Sequence, residues 1–258
     1  MDDDGDARSV CSIIPTLKQA GWAGTLDASH LAQLRLETGL SPDALLSALA
    51  KAARCFARPA LSGFSVGAAV YDSAGRAHLG ANLEVIASHL AMTVHAEQAA
   101  IATAIRAQNP KFGSGQPGTI TTLAATETPC GHCRQFMMEL AGAHQLRILI
   151  AGQEYSLDKL YPYPFGPGDL KKPALILPPA CEASADFIAQ ITHSARYSHT
   201  PYSNQPAALG LQLKGGGSVK AGAIENAAFN PGLNPLQSAL SGLALRQIGL
   251  EDGDVTRA

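Results

Sequence analysis

Two short clusters hold residue types that can do chemistry: His95-Ala96-Glu97, and Pro129-Cys130-Gly131-His132-Cys133. Neither decides anything alone, because H-x-E is a frequent accident and an isolated C-x-x-C serves equally as a redox pair or half a structural metal site. Together they offer one imidazole and two thiolates, a donor set that suits zinc and leaves a fourth tetrahedral corner open. Cys130 and Cys133 stand three residues apart, so on a helix they share a face. At a helix start, backbone N–H groups and the positive dipole end favour their thiolate forms. Glu97, two residues after the imidazole, is placed to act as a proton carrier at the open corner without ligating the ion. A structural zinc would use the same three ligands, but it would lack a fourth and leave Glu97 unexplained. His132, tempting as that fourth ligand, lies on a different helical direction, and an orienting or surface role is expected for it.

These residues need elements to hold them. Ser41-Pro42-Asp43 is a helix start with an N-cap hydroxyl, proline at the first helical position and an acid in the first turn. Leu45, Leu49, Ala52 and Phe56 follow at helical spacing, and Pro59 closes the segment. Two β-rich runs at 66–71 and 78–83 flank Asp72-Ser73-Ala74-Gly75, which predicts a hairpin. Further helices are predicted over 94–107 and 130–141, and strands over 119–125 and 147–150, so each chemical cluster opens a helix. Helices alternating with strands give an α/β layered fold, and the hairpin makes its sheet mixed.

From Tyr161 to Pro173 the chain carries Pro162, Pro164, Pro167, Gly166 and Gly168, the composition of a linker or ordered connector. Beyond it the pattern restarts, with a helix over 182–196 and a second hairpin turning at Gly215-Gly216-Gly217. Ser62 matches Ser203, Gly75 matches Gly216 and Glu84 matches Glu225 at a common offset of 141 residues, which predicts a duplicated domain. In the second copy Ala223 replaces Asn82, and, with a one-residue gap, Pro235 stands for His95 and Gln237 for Glu97, so that copy cannot run the chemistry. It reaches Ala258 before any counterpart of 130–150 and reads as incomplete.

Of the 258 residues, 46% are hydrophobic and 16% charged, and the formal net charge is −2. No basic field is available to hold a phosphate backbone, which argues against nucleic acid as partner and for a small neutral ligand. The start, Met1-Asp2-Asp3-Asp4-Gly5-Asp6, is acidic where a secretory signal is basic and then apolar, and no run has the length of a membrane span. A cytoplasmic protein with no membrane partner is expected. Cys11, Cys55 and Cys181 are expected as packed small hydrophobes, and His89, His144, His193 and His199 as surface or satisfied polar residues.

The stretches Thr93-Val94-His95-Ala96-Glu97-Gln98, Thr128-Pro129-Cys130-Gly131-His132-Cys133-Arg134-Gln135-Phe136, Phe165-Gly166-Pro167 and Glu225-Asn226-Ala227-Ala228-Phe229-Asn230-Pro231 resemble the cytidine deaminase family, in its larger two-domain bacterial type. H-x-E paired with P-C-x-x-C is the general signature of zinc-dependent nucleobase deaminases. The resemblance implies a three-layer α/β/α fold, duplicated as a catalytic domain and a degenerate second copy. The divisions would be a helical arm at 1–40, the catalytic domain at 41–153, a linker at 154–178 and the second copy at 179–258. It implies hydrolytic deamination of cytidine and deoxycytidine in pyrimidine salvage, with one zinc per chain, held in the first domain by His95, Cys130 and Cys133. Glu97 would shuttle protons to N3 and to the departing amine. Phe64 would pack on the pyrimidine, and Asn82 and Glu84 would grip the ribose 3′-hydroxyl, with Leu83 and Ala96 completing the nucleoside site. A grip on the 3′-hydroxyl tolerates loss of the 2′-hydroxyl, so both nucleosides are expected substrates. Ala227, Ala228 and Phe229 would wall the partner's site in a homodimer.

Other readings compete. Phe64 could be plain core, and Asn82 and Glu84 a strand-end turn. A polynucleotide deaminase would need a basic groove with stacking aromatics, a non-catalytic scaffold would be expected to have lost Glu97 or a ligand, and a redox protein would have no use for Glu97.

Overall fold

A computed structural model describes residues 22–107, 118–178, 186–214, 216–246 and 255–257. Cys11, Cys181, Gly215 and most of the predicted arm lie outside these, as do residues 182–185 of the predicted helix. The arm contributes a two-residue strand, β1 (Thr25–Leu26), and a helix, α1 (Ala28–Thr38), capped by Asp27, which accepts from the Ser29 and His30 amides. Helix α2 (Pro42–Ala53) starts as its sequence requires, Ser41 accepting from the Ala44 amide and Pro42 sitting in the first turn. Strands β2 (Gly67–Asp72) and β3 (Ala77–Ala81) form the predicted hairpin, whose turn is fixed by Asp72 Oδ1 accepting from the Ala74 and Arg76 amides at 2.9 Å each.

Helix α3 (Ala96–Arg106), strand β4 (Ile120–Ala125), helix α4 (Gly131–Met137) and strand β5 (Arg147–Ile150) follow. Helix α4 ends short of the predicted Ala141, with a turn after Met138. Strand β6 (Gln153–Ser156) and the single turn α5 (Leu157–Leu160) complete the first unit. The sheet order is β1-β3-β2-β4-β5-β6, with β4 and β5 the one parallel pair. The edge strands β1 and β6 escape a reading of the sequence because one is too short, and the other, Gln153-Glu154-Tyr155-Ser156, has no buried residue.

Both faces of the sheet are covered, which is why its central strands read as continuous apolar runs. Ala68, Val70, Leu123 and Ile148 face α3 with Ala99, Ala100 and Ile101, whereas Ala69, Leu79, Ala124 and Leu149 join Leu45, Leu46 and Leu49 of α2. Helix α3 approaches so closely that a Cβ on Gly80 of β3 would stand 2.1 Å from the Ala100 amide nitrogen and 2.4 Å from the Ala96 carbonyl oxygen. Only glycine allows this contact, and it seats the helix that carries His95 and Glu97 directly on the sheet.

The second unit holds α6 (Phe187–Arg196), the hairpin β7 (Ala208–Leu213) and β8 (Ser218–Gly222), helix α7 (Pro235–Leu245) and β9 (Val255–Arg257), in sheet order β8-β7-β9. It repeats the first in detail. Strand β9 pairs with β7 antiparallel, as β4 pairs with β2, and both ladders slip at equivalent places, Tyr71/Asp72 and Gln212/Leu213. The units are not separable beads, since Ile224 and Leu233 enter the core beneath α3, Leu245 enters the core on the α2 side, and Leu83 and Val85 pack in the second core. The proline-rich stretch between them is an ordered connector: the Leu175 amide donates to the Glu139 carbonyl at 2.7 Å, and that of Leu177 to the Gly118 carbonyl at 2.8 Å. No helix among the described residues is long and apolar enough to cross a membrane.

Candidate metal centre and active site

His95 is the N-cap of α3 and Cys130 the N-cap of α4, so the two chemical clusters sit at converging helix starts. Two positive dipole ends thus face one point, an arrangement that favours anionic sulfur there. The ligand atoms of His95, Cys130 and Cys133 all lie within 4.8 Å of one another. His95 Nδ1 stands 3.5 Å from Cys130 Sγ, which matches the roughly 3.5 Å expected between N and S ligands of a tetrahedral zinc. The donor set and spacing therefore fit zinc. Cys133 is buried and Cys130 exposed, so the group opens to one side.

Hydrogen bonding from the Cys133 thiol, helped by the amides of Cys133 and His132 and by His95, pulls the Cys130 thiol down to about 4. The same shared proton, with burial and Glu97 nearby, pushes the Cys133 thiol well up. The opposite shifts have one cause, a proton shared between the two sulfurs, which a bound cation would displace. Glu97 is 4% exposed, and burial lifts its carboxyl above the ordinary carboxylate range despite its own backbone amide, the Cys133 thiol and His95. A carboxyl displaced in that direction can hold and return a proton near neutral pH.

His132, for which an orienting or surface role was expected, is exposed, and its ring stacks on His95 with centroids 5.2 Å apart and planes at 27°. Gln98, quoted in a motif but assigned nothing, is fully buried and accepts from the His95 amide at 3.0 Å. Glutamine three residues after a helix cap is a recognisable capping signal.

The predicted nucleoside residues gather where β3 ends. Asn82 Oδ1 accepts from the Val66 amide at 2.8 Å, and Asn82 Nδ2 donates to the Phe64 carbonyl at 2.9 Å. Glu84 Oε2 accepts from the Leu61 and Ser62 amides at 2.7 and 2.8 Å, and Oε1 from the Ser62 hydroxyl at 2.5 Å. Burial is the largest single influence and raises the Glu84 carboxyl, but the bonds from Ser62 and Leu61, with His95 nearby, together hold it below its ordinary value. Phe64, 56% exposed on the loop so clamped, is not core. Leu83 exchanges two backbone bonds of 2.9 Å with Val94, next to His95, and Ala96 is fully buried.

The second copy reproduces the clamp without the chemistry. Glu225 takes the Tyr202 and Ser203 amides and the Ser203 hydroxyl. The alignment of the helix starts needs correction, however. Ile224 pairs with Leu233 as Leu83 pairs with Val94, and Asn234 caps α7 as His95 caps α3. The gap is therefore two residues, so Asn234 replaces His95, Leu236 replaces Glu97, and Gln237 is the counterpart of Gln98. The loop joining the second hairpin to its helix is two residues shorter than its counterpart, a difference visible in the strand pairing and not in the residue types. Ala227 is buried in its own chain, its amide donating to Glu139 Oε2 at 2.9 Å, whereas Ala228 and Phe229 are exposed, Phe229 with φ +63°. Glu139 also accepts from His199 at 2.7 Å and Tyr202 at 2.8 Å, which makes His199 a satisfied polar residue. Cys55 is exposed, not packed.

A histidine with a following carboxyl on one helix start, facing two cysteines on another across a mixed sheet, places the molecule among the zinc-dependent deaminases. Two models of the cytidine and deoxycytidylate deaminase zinc-binding region match, over residues 41–148 and 157–258. A cytidine deaminase from Klebsiella pneumoniae subsp. pneumoniae is 39% identical, the alignment covering 91% of this chain and 79% of that protein. One from Shewanella oneidensis is 38% identical over 90% of this chain and 77% of that protein. The crystal structure of cytidine deaminase from Mycobacterium tuberculosis aligns with a TM-score of 0.41 at 28% identity, over 49% of this chain and 99% of that one. The chain belongs to the cytidine deaminase family.

Proposed function

We propose that this enzyme hydrolyses the 4-amino group of cytidine and deoxycytidine, releasing ammonia and the corresponding uridine in pyrimidine nucleoside salvage. The observation that carries the reading is the convergence of His95, Cys130 and Cys133 within 4.8 Å beside a buried glutamate. These three residues would hold one zinc per chain; the second copy has asparagine and leucine where the first has His95 and Glu97. Zinc bound there supplies a water acidic enough to be a nucleophile at neutral pH. Glu97 takes one proton from the attacking water and delivers it to the pyrimidine N3; it then takes the remaining proton from the new C4 hydroxyl and gives it to the amine, which leaves as ammonia as the C4 carbonyl forms. Its burial keeps competing water from that carboxyl.

The clamp bonds leave a place for the sugar. A carboxylate offers about four acceptor positions and a primary amide two donors. Glu84 uses three of the first and Asn82 one of the second. One acceptor and one donor remain, which is what a single hydroxyl needs, and the 3′-hydroxyl is common to both nucleosides. Phe64 offers the pyrimidine an exposed ring, with Leu83 and Ala96 beside the helix start. Phe229, 69% exposed on a left-handed backbone, supports the companion proposal that a homodimer forms and that Ala228 and Phe229 close the partner's site. For Ala227 the support is weaker, since its amide is already engaged with Glu139. Thiolate ligation fits a reducing, cytoplasmic setting.

The test is loss of cytidine absorbance with and without a chelator, with cytidine monophosphate and single-stranded DNA as rival substrates. Chelator-sensitive turnover of the nucleosides is expected. Turnover indifferent to the chelator, or faster on DNA, would overturn the reading.

A further inference from the structure

The two copies exchange a matched pair of hydrogen bonds. Gln98 accepts from the His95 amide through Oε1 at 3.0 Å and donates through Nε2 to the Pro231 carbonyl of the second copy at 2.8 Å. Its counterpart Gln237 accepts from the Asn234 amide at 3.0 Å and donates to the Ala91 carbonyl of the first copy at 2.8 Å. Both carboxamides are buried, and each ties the start of one long helix to the loop that precedes the other.

The bonds match, but their surroundings do not. Gln98 Nε2 also lies 3.2 Å from His132 Nε2, and the His132 ring is the one stacked on His95. One carboxamide thus fixes the backbone of the histidine ligand and braces the ring against its imidazole. It takes its own bearing from the second copy. Among the described residues, the Gln237 carboxamide bonds to no ring, only to the Asn234 amide and the Ala91 carbonyl.

We propose that Gln98 is a positioning residue for the metal centre, and that the degenerate copy serves its own chain's site by anchoring Gln98 through the Pro231 carbonyl. This rests on the reading of His95, Cys130 and Cys133 as a zinc site. The degenerate copy then has a duty within the chain, separate from closing a partner's site. Only a planar group with an acceptor on one arm and two donors on the other meets all three contacts, which glutamine does and glutamate or methionine does not.

The duplication supplies its own control. Gln98→Met and Gln237→Met each remove one carboxamide, one cap bond and one inter-unit bond at nearly constant volume. In full-length protein loaded with cobalt(II), Q98M is expected to shift the visible d–d bands and to release metal to a chelating dye about 10- to 100-fold faster, the usual cost of losing a group that orients a ligand. Q237M is expected to lose similar thermal stability while keeping wild-type bands and release rate. Should Q98M fail to fold, Gln98→Asn, too short to span both contacts, is expected to change bands and release in the same direction. Wild-type bands and release in the Gln98 variants, or equal changes in Q98M and Q237M, would overturn the proposal. Failure of the wild type to take up cobalt would instead remove the metal reading beneath it.

Discussion

At the scale of single residues, the proposed chemistry rests on a carboxyl whose proton affinity is raised chiefly by burial. Glu97 lies behind Cys133 with almost no exposure, and burial is the largest influence on it. Glu97→Gln keeps the shape and the three ligands but cannot carry a proton. Zinc content is expected to stay at one per chain while kcat falls about 10²- to 10⁴-fold; normal turnover in metal-replete E97Q would remove the assigned proton carrier. Asn82 has one donor left after bonding the Phe64 carbonyl. Asn82→Ala is therefore expected to raise KM for cytidine and deoxycytidine alike, with a smaller change in kcat, because a sugar contact made equally in ground and transition states affects binding. An effect confined to cytidine would point to the 2′-hydroxyl instead.

At the scale of elements, one contact seats the helix of the site and another sets the acid stability of the sheet beneath it. The first is the seat of α3 on Gly80, where an added Cβ would meet backbone at 2.1 Å and no side chain can move aside. Gly80→Ala is expected to cost about 1–3 kcal/mol of stability, and to weaken zinc retention, because the displaced helix carries His95 and Glu97. Denaturant melts and metal analysis would read the two together. The second is the buried hairpin pair, His78 Nε2 to Asp72 Oδ2 at 3.0 Å, with Thr25 on the other ring nitrogen. Burial depresses His78 despite the Asp72 carboxylate beside it, whereas hydrogen bonds from His78 and Arg76 depress Asp72 despite burial. A folded-state pKa below the unfolded one means that the unfolded chain binds the extra proton first, so stability is present above the unfolded value and lost as pH falls. For His78 the loss begins as pH drops through about 6.5, and for Asp72 through about 3.8. The urea midpoint is expected to fall between pH 7.5 and 5, and His78→Gln is expected to flatten that fall. An unchanged slope in the variant would assign the acid sensitivity elsewhere.

At the scale of the whole molecule, the second copy is architecture that has kept its joints and lost its chemistry. The serine–glutamate clamp, the strand slip and the capping glutamine all recur, while ligand and proton carrier are gone. Phe64, Ile86, Leu90, Phe229 and Leu236 are exposed apolar side chains that the proposed dimer would have available to cover. Sedimentation is expected to show a dimer, and Phe229→Asp to weaken it and raise KM together. A monomeric wild type with full activity would exclude a site completed by a partner.

The residues proposed as ligands and proton carrier, the capped helices and the hairpin were legible from sequence, because each is marked by local chemistry: donor type, spacing along a helix, turn residues and strand alternation. The duplication was legible too, since Ser203 and Glu225 preserve a bond pair at a constant offset. What lay beyond the sequence was non-local. Edge strands with no apolar pattern are made by their neighbours' free backbone groups. The two-residue gap that sets Asn234 against His95 is visible only in backbone pairing. The Pro231 carbonyl comes within reach of Gln98 only because Ile224 and Leu233, far along the chain, pack into the first unit's core.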